Sequence, residues 1–379
     1  MKRKKTPDVV FYISGHGFGH ASREVEIANA LGAARPDLRI VIRSAVSPAL
    51  LARTMRVPYT LEPGACDSGI VQSSSVAHDD AATIRAAAEY FGAWPDRVAA
   101  EIERLRAGDV RAIVGDIPPV AFDVASAIGV PSVAISNFTW DWIYETYPGM
   151  TDAMPWLLPL IRNAYAKASI ALELPFSGGF EVFPDVQRIP LVARWPSRSR
   201  EDTRAHFGIP QDRPAVLLSF GGYGLPDLDL RTLDCLDRWT VVTTDRITPA
   251  GSLLPGGVVY VVEHAFAGGF RYEDLVAAVD AVITKPGYGI VAECIAASTA
   301  VLYTSRGHFR EYDVLVDALG RFARSRFLPQ ADLFAGRLRE SLDALLDEPS
   351  PRETMAADGA AVAARVISET AGSGRDAAR

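Results

Sequence analysis

Val9-Val10-Phe11-Tyr12-Ile13-Ser14-Gly15-His16-Gly17-Phe18-Gly19-His20-Ala21-Ser22-Arg23 is the stretch that decides the fold. Its first five residues are apolar and mostly β-branched or aromatic, the pattern of a strand buried on both faces. A glycine-rich loop follows, then a helix over residues 23–31 that places Val25, Ile27, Ala28 and Leu31 mostly on one face. Strand, glycine loop and helix in that order open a parallel α/β layer.

Working outward, the same grammar recurs. Short apolar runs at 38–42, 112–114 and 131–135 read as further strands, and 80–105 reads as helix broken at Trp94-Pro95. After a Pro- and Arg-rich stretch at 189–200 the pattern restarts, with strands expected at 215–220, 240–244, 258–262, 281–283 and 301–303. The expected fold is therefore α/β, with two Rossmann-like doubly wound domains facing across a cleft. Their expected bounds are 1–195 and 196–351, with a helix in 352–379 crossing back to the first domain before a frayed tail.

Composition agrees. At 379 residues the chain exceeds one ordinary core, and 49% hydrophobic with 22% charged residues excludes wholesale disorder. A net charge of −7 argues against a nucleic-acid binder. Cys66, Cys235 and Cys294 are too few and too scattered for a disulfide framework or a zinc site, so buried thiols in a cytoplasmic protein are expected. The basic Lys2-Arg3-Lys4-Lys5 is followed by too short an apolar run for an export signal. Pro155-Trp156-Leu157-Leu158-Pro159-Leu160-Ile161 has no matching basic face, so core packing is favoured over peripheral membrane contact.

In open parallel sheets, ligands bind at the carboxyl ends of the strands, so the strand-end loops hold the candidate chemistry. The first loop fails as a dinucleotide fingerprint, because His20 stands where a glycine is needed and the second strand ends in Arg43-Ser44 rather than an acid. It lacks the Gly-Lys-Ser/Thr of a Walker loop as well. What remains is two histidines, His16 and His20, in a strand-to-helix turn, where a histidine serves structure as readily as general-base catalysis. Asp116, in Val114-Gly115-Asp116-Ile117, ends another strand; it either orients an imidazole or caps the next helix.

In the second half, Ser219-Phe220-Gly221-Gly222-Tyr223-Gly224 again runs a strand into a glycine loop. Thr284-Lys285-Pro286-Gly287-Tyr288-Gly289 opens a helix whose free N–H groups suit a phosphate, with Lys285 adding charge. Glu293, on the second turn, is placed to accept from ribose hydroxyls. Arg306-Gly307-His308-Phe309-Arg310-Glu311 offers hydrogen-bonding groups suited to a polyol. Trp140, in Asn137-Phe138-Thr139-Trp140-Asp141-Trp142-Ile143-Tyr144, either stacks on a sugar or acceptor or packs in a core. Asp227-Leu228-Asp229 imitates a metal-binding Asp-x-Asp in a Pro-flanked loop, and no metal is expected there.

Together these motifs resemble GT-B glycosyltransferases across nearly the whole chain. Gly19-His20 and the helix after it resemble the Gly-His loop of the peptidoglycan N-acetylglucosamine transferase and of UDP-sugar transferases. Residues 285–293 resemble their donor signature. The Gly15–Arg23 string and residues 137–144 are closest to the glycosyltransferase-like N-terminal half of L-arabinokinases, whose kinase half has no counterpart in these residues. There are departures: His16 is an extra histidine, and plant enzymes have His where Lys285 stands.

The resemblance implies an acceptor-binding first domain and a donor-binding second one. It implies a metal-independent, inverting transfer from a UDP- or dTDP-type sugar to a hydroxyl, with no further cofactor. His20 would be the base, its neutral form favoured by the helix N-terminus, and Asp116 its orienting carboxylate. His16, Gly19 and Trp140 would face acceptor or sugar. Gly222, Lys285, Gly287, Tyr288, Gly289 and Glu293 would hold the donor nucleotide, and His308 and Glu311 the donor sugar. A nucleotide-sugar epimerase or hydrolase, or a non-catalytic sugar-nucleotide binder, is the alternative within the same fold.

Overall fold

The structure is a computed structural model that describes residues 6–221, 224–225, 227–244, 255–266 and 268–373. Gly222 lies outside the described residues. The chain divides into two compact units. The first comprises residues up to Val71, Asp79–Ala193 and the segment from Ala356; the second comprises Gln72–His78 and Arg194–Met355. Residues 72–78, which the sequence reading assigned to the first domain, thus belong to the second unit.

In the first unit, seven strands form one sheet: β1 (Asp8–Ile13), β2 (Arg39–Ser44), β3 (Tyr59–Pro63), β6 (Val110–Asp116), β7 (Ser132–Phe138), β8 (Ile170–Gly178) and β9 (Val186–Arg188). Their order is β3-β2-β1-β6-β7-β8-β9, and every pairing is parallel. β4 (Gln72–Ser74) and β5 (Ala77–His78) form a separate antiparallel hairpin. β1 and β7 are buried at every residue, as strands covered on both faces must be. The edge strands β3 and β9 mix exposed and half-buried residues, so no continuous apolar run marks them.

The second unit's sheet runs β12-β11-β10-β13-β14-β15. These strands are β10 (Ala215–Ser219), β11 (Thr240–Thr243), β12 (Val258–Tyr260), β13 (Ala281–Thr284), β14 (Ala300–Tyr303) and β15 (Ser325–Phe327), again all parallel. This is the doubly wound order 3-2-1-4-5-6. In each sheet the order reverses beside the first strand, between β1 and β6 and between β10 and β13. Those two switch points are where helices diverge and leave backbone room for a ligand.

The first helix runs Gly17–Ala34, beginning six residues earlier than the periodicity implies. Glycines weaken helix propensity, but packing on the sheet overrides that weak preference. His20 therefore stands in the first helical turn rather than in a loop. The C-terminal helix Gly359–Ser373 packs on this helix. The 80–105 region is two helices, Asp80–Gly92 and Trp94–Leu105, divided where Pro95 enters. Leu157, Leu158 and Ile161 are buried, and all three cysteines are buried free thiols. No helix among the described residues is long and apolar enough to cross a membrane.

Candidate active site

At the first switch point, the end of β1 is tied to the end of β6 by the Ser14 N–H, which donates to the Asp116 carbonyl (2.8 Å). His20 Nδ1 lies 2.8 Å from Asp116 Oδ1, with the imidazole 5% exposed and the carboxylate fully buried. Arg23, one turn further along the helix, grips the same carboxylate. Its Nε donates to Oδ2 (2.6 Å) and its Nη2 to Oδ1 (2.5 Å). The remaining guanidinium donors reach the end of β7, at Asn137 Oδ1 (2.5 Å) and Ser136 Oγ (2.8 Å).

Burial by itself would raise the Asp116 carboxyl, but the Arg23 guanidinium and the His20 ring outweigh it and hold it below the ordinary range. Arg23 Nη2 also approaches His20 Nδ1 (2.9 Å), and one ring nitrogen cannot both donate and accept. The charge-assisted bond to the carboxylate favours Nδ1–H, which leaves Nε2 as the basic lone pair.

Around this pair stand residues the sequence reading passed over. Asp67 accepts from Trp140 Nε1 (2.9 Å); burial pushes its carboxyl up, while a Ser14 hydrogen bond and His20 pull it partly back. Glu24, four residues after His20, is wholly buried, with no hydrogen-bond partner for either oxygen among the described residues. Burial and the Asp116 charge raise its carboxyl well above the ordinary value, against the pull of the Arg23 guanidinium. Had the helix been started at Gly17, the spacing of His20, Arg23 and Glu24 would have put all three on one face.

His16 is the residue just before the first helix, and its Nδ1 accepts from the Ile70 N–H (3.3 Å). Gly69, at φ +57°, is required there: a Cβ would stand 3.0 Å from the His16 Cβ. Gly19 occupies the same first turn. Trp140 is fully buried, stacked on Tyr144 (centroids 5.4 Å) and edge-on to His16 (5.7 Å). Its ring is thus sealed from solvent.

At the second switch point, Gly287 precedes the Tyr288–Ala297 helix in extended backbone, and no side chain among the described residues caps that helix. Open space lies where a Gly287 Cβ would be. Tyr288 is buried and Gly289 half-buried. Lys285 Nζ donates to Gln72 Oε1 (3.3 Å), and among the described residues no carboxylate pairs with it. Burial, with the Arg306 charge adding to it, lowers the Lys285 ammonium to about 7.

Arg306 donates to the Pro286 carbonyl (2.8 Å) and faces the buried Glu311 carboxylate (3.4 Å). His308 is exposed. The Glu293 carboxylate is buried on Arg194, whose Nε donates to it at 2.6 Å, and Arg194 also faces Glu273 (3.4 Å). Asp229 caps the Leu230–Thr232 turn through the Arg231 N–H (3.0 Å) and pairs with the Arg231 side chain.

Two doubly wound parallel sheets with helices between their strands are the architecture of the GT-B fold, which this chain shares with the solved structures it matches. L-arabinokinase of Arabidopsis thaliana is 27% identical over 371 residues, 95% of this chain but only 34% of that protein's length. An uncharacterised glycosyltransferase of Methanopyrus kandleri is 24% identical over 293 residues, covering 72% of this chain and 79% of its own. Among solved structures, a UDP-glucosyltransferase from Polygonum tinctorium superposes with a TM-score of 0.61 at 12% identity, over 98% of this chain and all of that one. No protein-family model matches the sequence.

Proposed function

We infer that this protein transfers a sugar from a nucleoside-diphosphate donor to an acceptor hydroxyl, with inversion at the anomeric carbon and without a metal ion. The observation that carries the reading is the buried His20–Asp116 pair, 2.8 Å apart at the switch point of the first sheet. As the acceptor oxygen attacks the anomeric carbon, its proton passes to His20 Nε2 and the bond from that carbon to the diphosphate oxygen breaks. Asp116, kept ionised by Arg23, stabilises the imidazolium that forms.

The leaving diphosphate is assigned to the backbone N–H groups at the start of that helix, at Gly287, Tyr288 and Gly289, with Lys285 and Arg306 supplying the positive charge. That supply of charge supports a metal-free reaction. Glu293, oriented by Arg194, is assigned to the ribose, Glu311 and His308 to donor-sugar hydroxyls, and His16 to the acceptor or transferred sugar. UDP or dTDP is the expected leaving group, in line with the resemblance of the 285–293 segment.

The test is release of nucleoside diphosphate from a panel of UDP- and dTDP-sugars, with and without hydroxyl acceptors, in EDTA. The anomeric configuration of the product is read by NMR. Acceptor-dependent, EDTA-resistant release with inverted product is expected. Release without any acceptor would mark a hydrolase, and no release with any pair would overturn the assignment.

A further inference from the structure

The hairpin of β4 and β5 comes from the first half of the sequence yet belongs to the second unit, where three strand-end loops bond to it. After β10, Ser75 Oγ lies 2.9 Å from the Phe220 carbonyl and 2.6 Å from the Gly224 carbonyl. After β13, Lys285 holds Gln72. After β14, the Gly307 N–H donates to the Val76 carbonyl (2.9 Å), and His78 Nδ1 donates to the His308 carbonyl (3.2 Å). Val76 is buried in the unit's core with Phe220. The approach is tight: a Cβ on Gly307 would stand 3.0 Å from the His78 backbone nitrogen, so the hairpin would have to give way.

A hairpin that merely covered a sheet edge would need only its apolar contacts. This one carries an amide and an imidazole to the cationic corner formed by Lys285, Arg306 and the uncapped helix. With Gln72 Oε1 on Lys285, its NH₂ group is the donor left for a phosphate oxygen. With His78 Nδ1 spent on a carbonyl, Nε2 is an acceptor, and it is buried with no hydrogen-bond partner among the described residues. Burial, then the nearby Arg306 charge, lower this imidazole to about 4, so it is neutral at pH 7.

We propose that the hairpin is part of the donor site, with Gln72 contacting the diphosphate beside Lys285 and His78 Nε2 accepting from a hydroxyl of the donor sugar. The proposal rests on the nucleotide-sugar reading above. Calorimetry on the full chain with UDP and with UDP-glucose tests it. Gln72→Ala weakens both ligands about 3- to 10-fold, the size of one hydrogen bond. His78→Ala weakens UDP-glucose about tenfold and UDP less than about twofold, and His78→Gln, whose amide oxygen can accept, recovers part of the loss.

A hairpin that only props the loops would weaken the two ligands equally in His78→Ala. Equal losses in that variant, or no loss in either variant, overturn this inference while wild-type binding leaves the donor-site reading standing. If the wild-type protein binds neither UDP nor UDP-glucose, nor dTDP and its glucose ester, the donor-site reading falls and this inference with it.

Discussion

Arg23 is the reason a carboxylate sealed from water stays charged beside His20. Its guanidinium meets Asp116 with two parallel donors, the geometry in which arginine surpasses lysine. Arg23→Met leaves that carboxylate buried without its cation and should cost about 3–5 kcal/mol, read from urea unfolding at unchanged slope. His20→Ala should cut the turnover rate about 10²–10⁴-fold with donor affinity little changed, whereas His16→Ala should mainly raise the acceptor KM. The reverse pattern would move the base to His16.

Lys285 gives a pH prediction with a defined sign. Its ammonium titrates near 7 in the free protein, and a bound diphosphate favours the charged form, so the pKa of the complex is higher. Affinity for UDP is therefore full below about pH 7 and falls as pH rises toward the pKa of the complex. The fall approaches about tenfold per pH unit. Titrations at pH 6 and pH 8.5 should differ accordingly, and Lys285→Met should flatten the dependence. A dependence that survives the substitution would assign it to another group.

At the scale of elements, the return of the chain to the first unit depends on one glycine. The Leu191 N–H donates to the Ala356 carbonyl (3.0 Å), and the Gly359 N–H donates to the Leu191 carbonyl (3.1 Å). A Cβ on Gly359 would stand 2.1 Å from the Pro190 carbonyl oxygen, a backbone atom that cannot swing aside. Gly359→Ala should thus destabilise the protein by about 1–3 kcal/mol through forced backbone displacement. Thermal denaturation would show it, and an unchanged Tm would mean that the last helix is not anchored there. Arg35 adds a second tie from the first helix, through Ser368 Oγ (2.8 Å).

For the whole molecule, the two units carry different chemistry on the same winding, and a ligand that touches one should mark that one. UDP at about 100 times its dissociation constant should stabilise the native state by about 2.7 kcal/mol. Amide exchange should slow at the loops after β10, β13 and β14 while the β1 strand changes little. Protection spread evenly over both sheets would contradict a donor site confined to the second unit's strand ends.

The division of labour between sequence and tertiary structure follows from the range of the forces involved. Buried parallel strands such as β1 and β7 are continuous apolar runs, and glycine loops at their ends mark themselves, so the fold class and the switch-point residues His20, Asp116 and Lys285 are read locally. Edge strands with half-solvated faces are not, because their patterns resemble loops. Partnerships are less visible still. Arg23 and Asp116 are 93 residues apart, Arg194 and Glu293 are 99 apart, and Gln72 and Lys285 are 213 apart. Only the folded chain closes those distances, and only there does the Arg23 guanidinium hold the Asp116 carboxyl low against burial, while burial pushes Glu24 up and seals Trp140 from solvent. Local periodicity determines where the strands and loops lie. Which charges meet, and in what dielectric, is decided by packing between segments far apart in the chain.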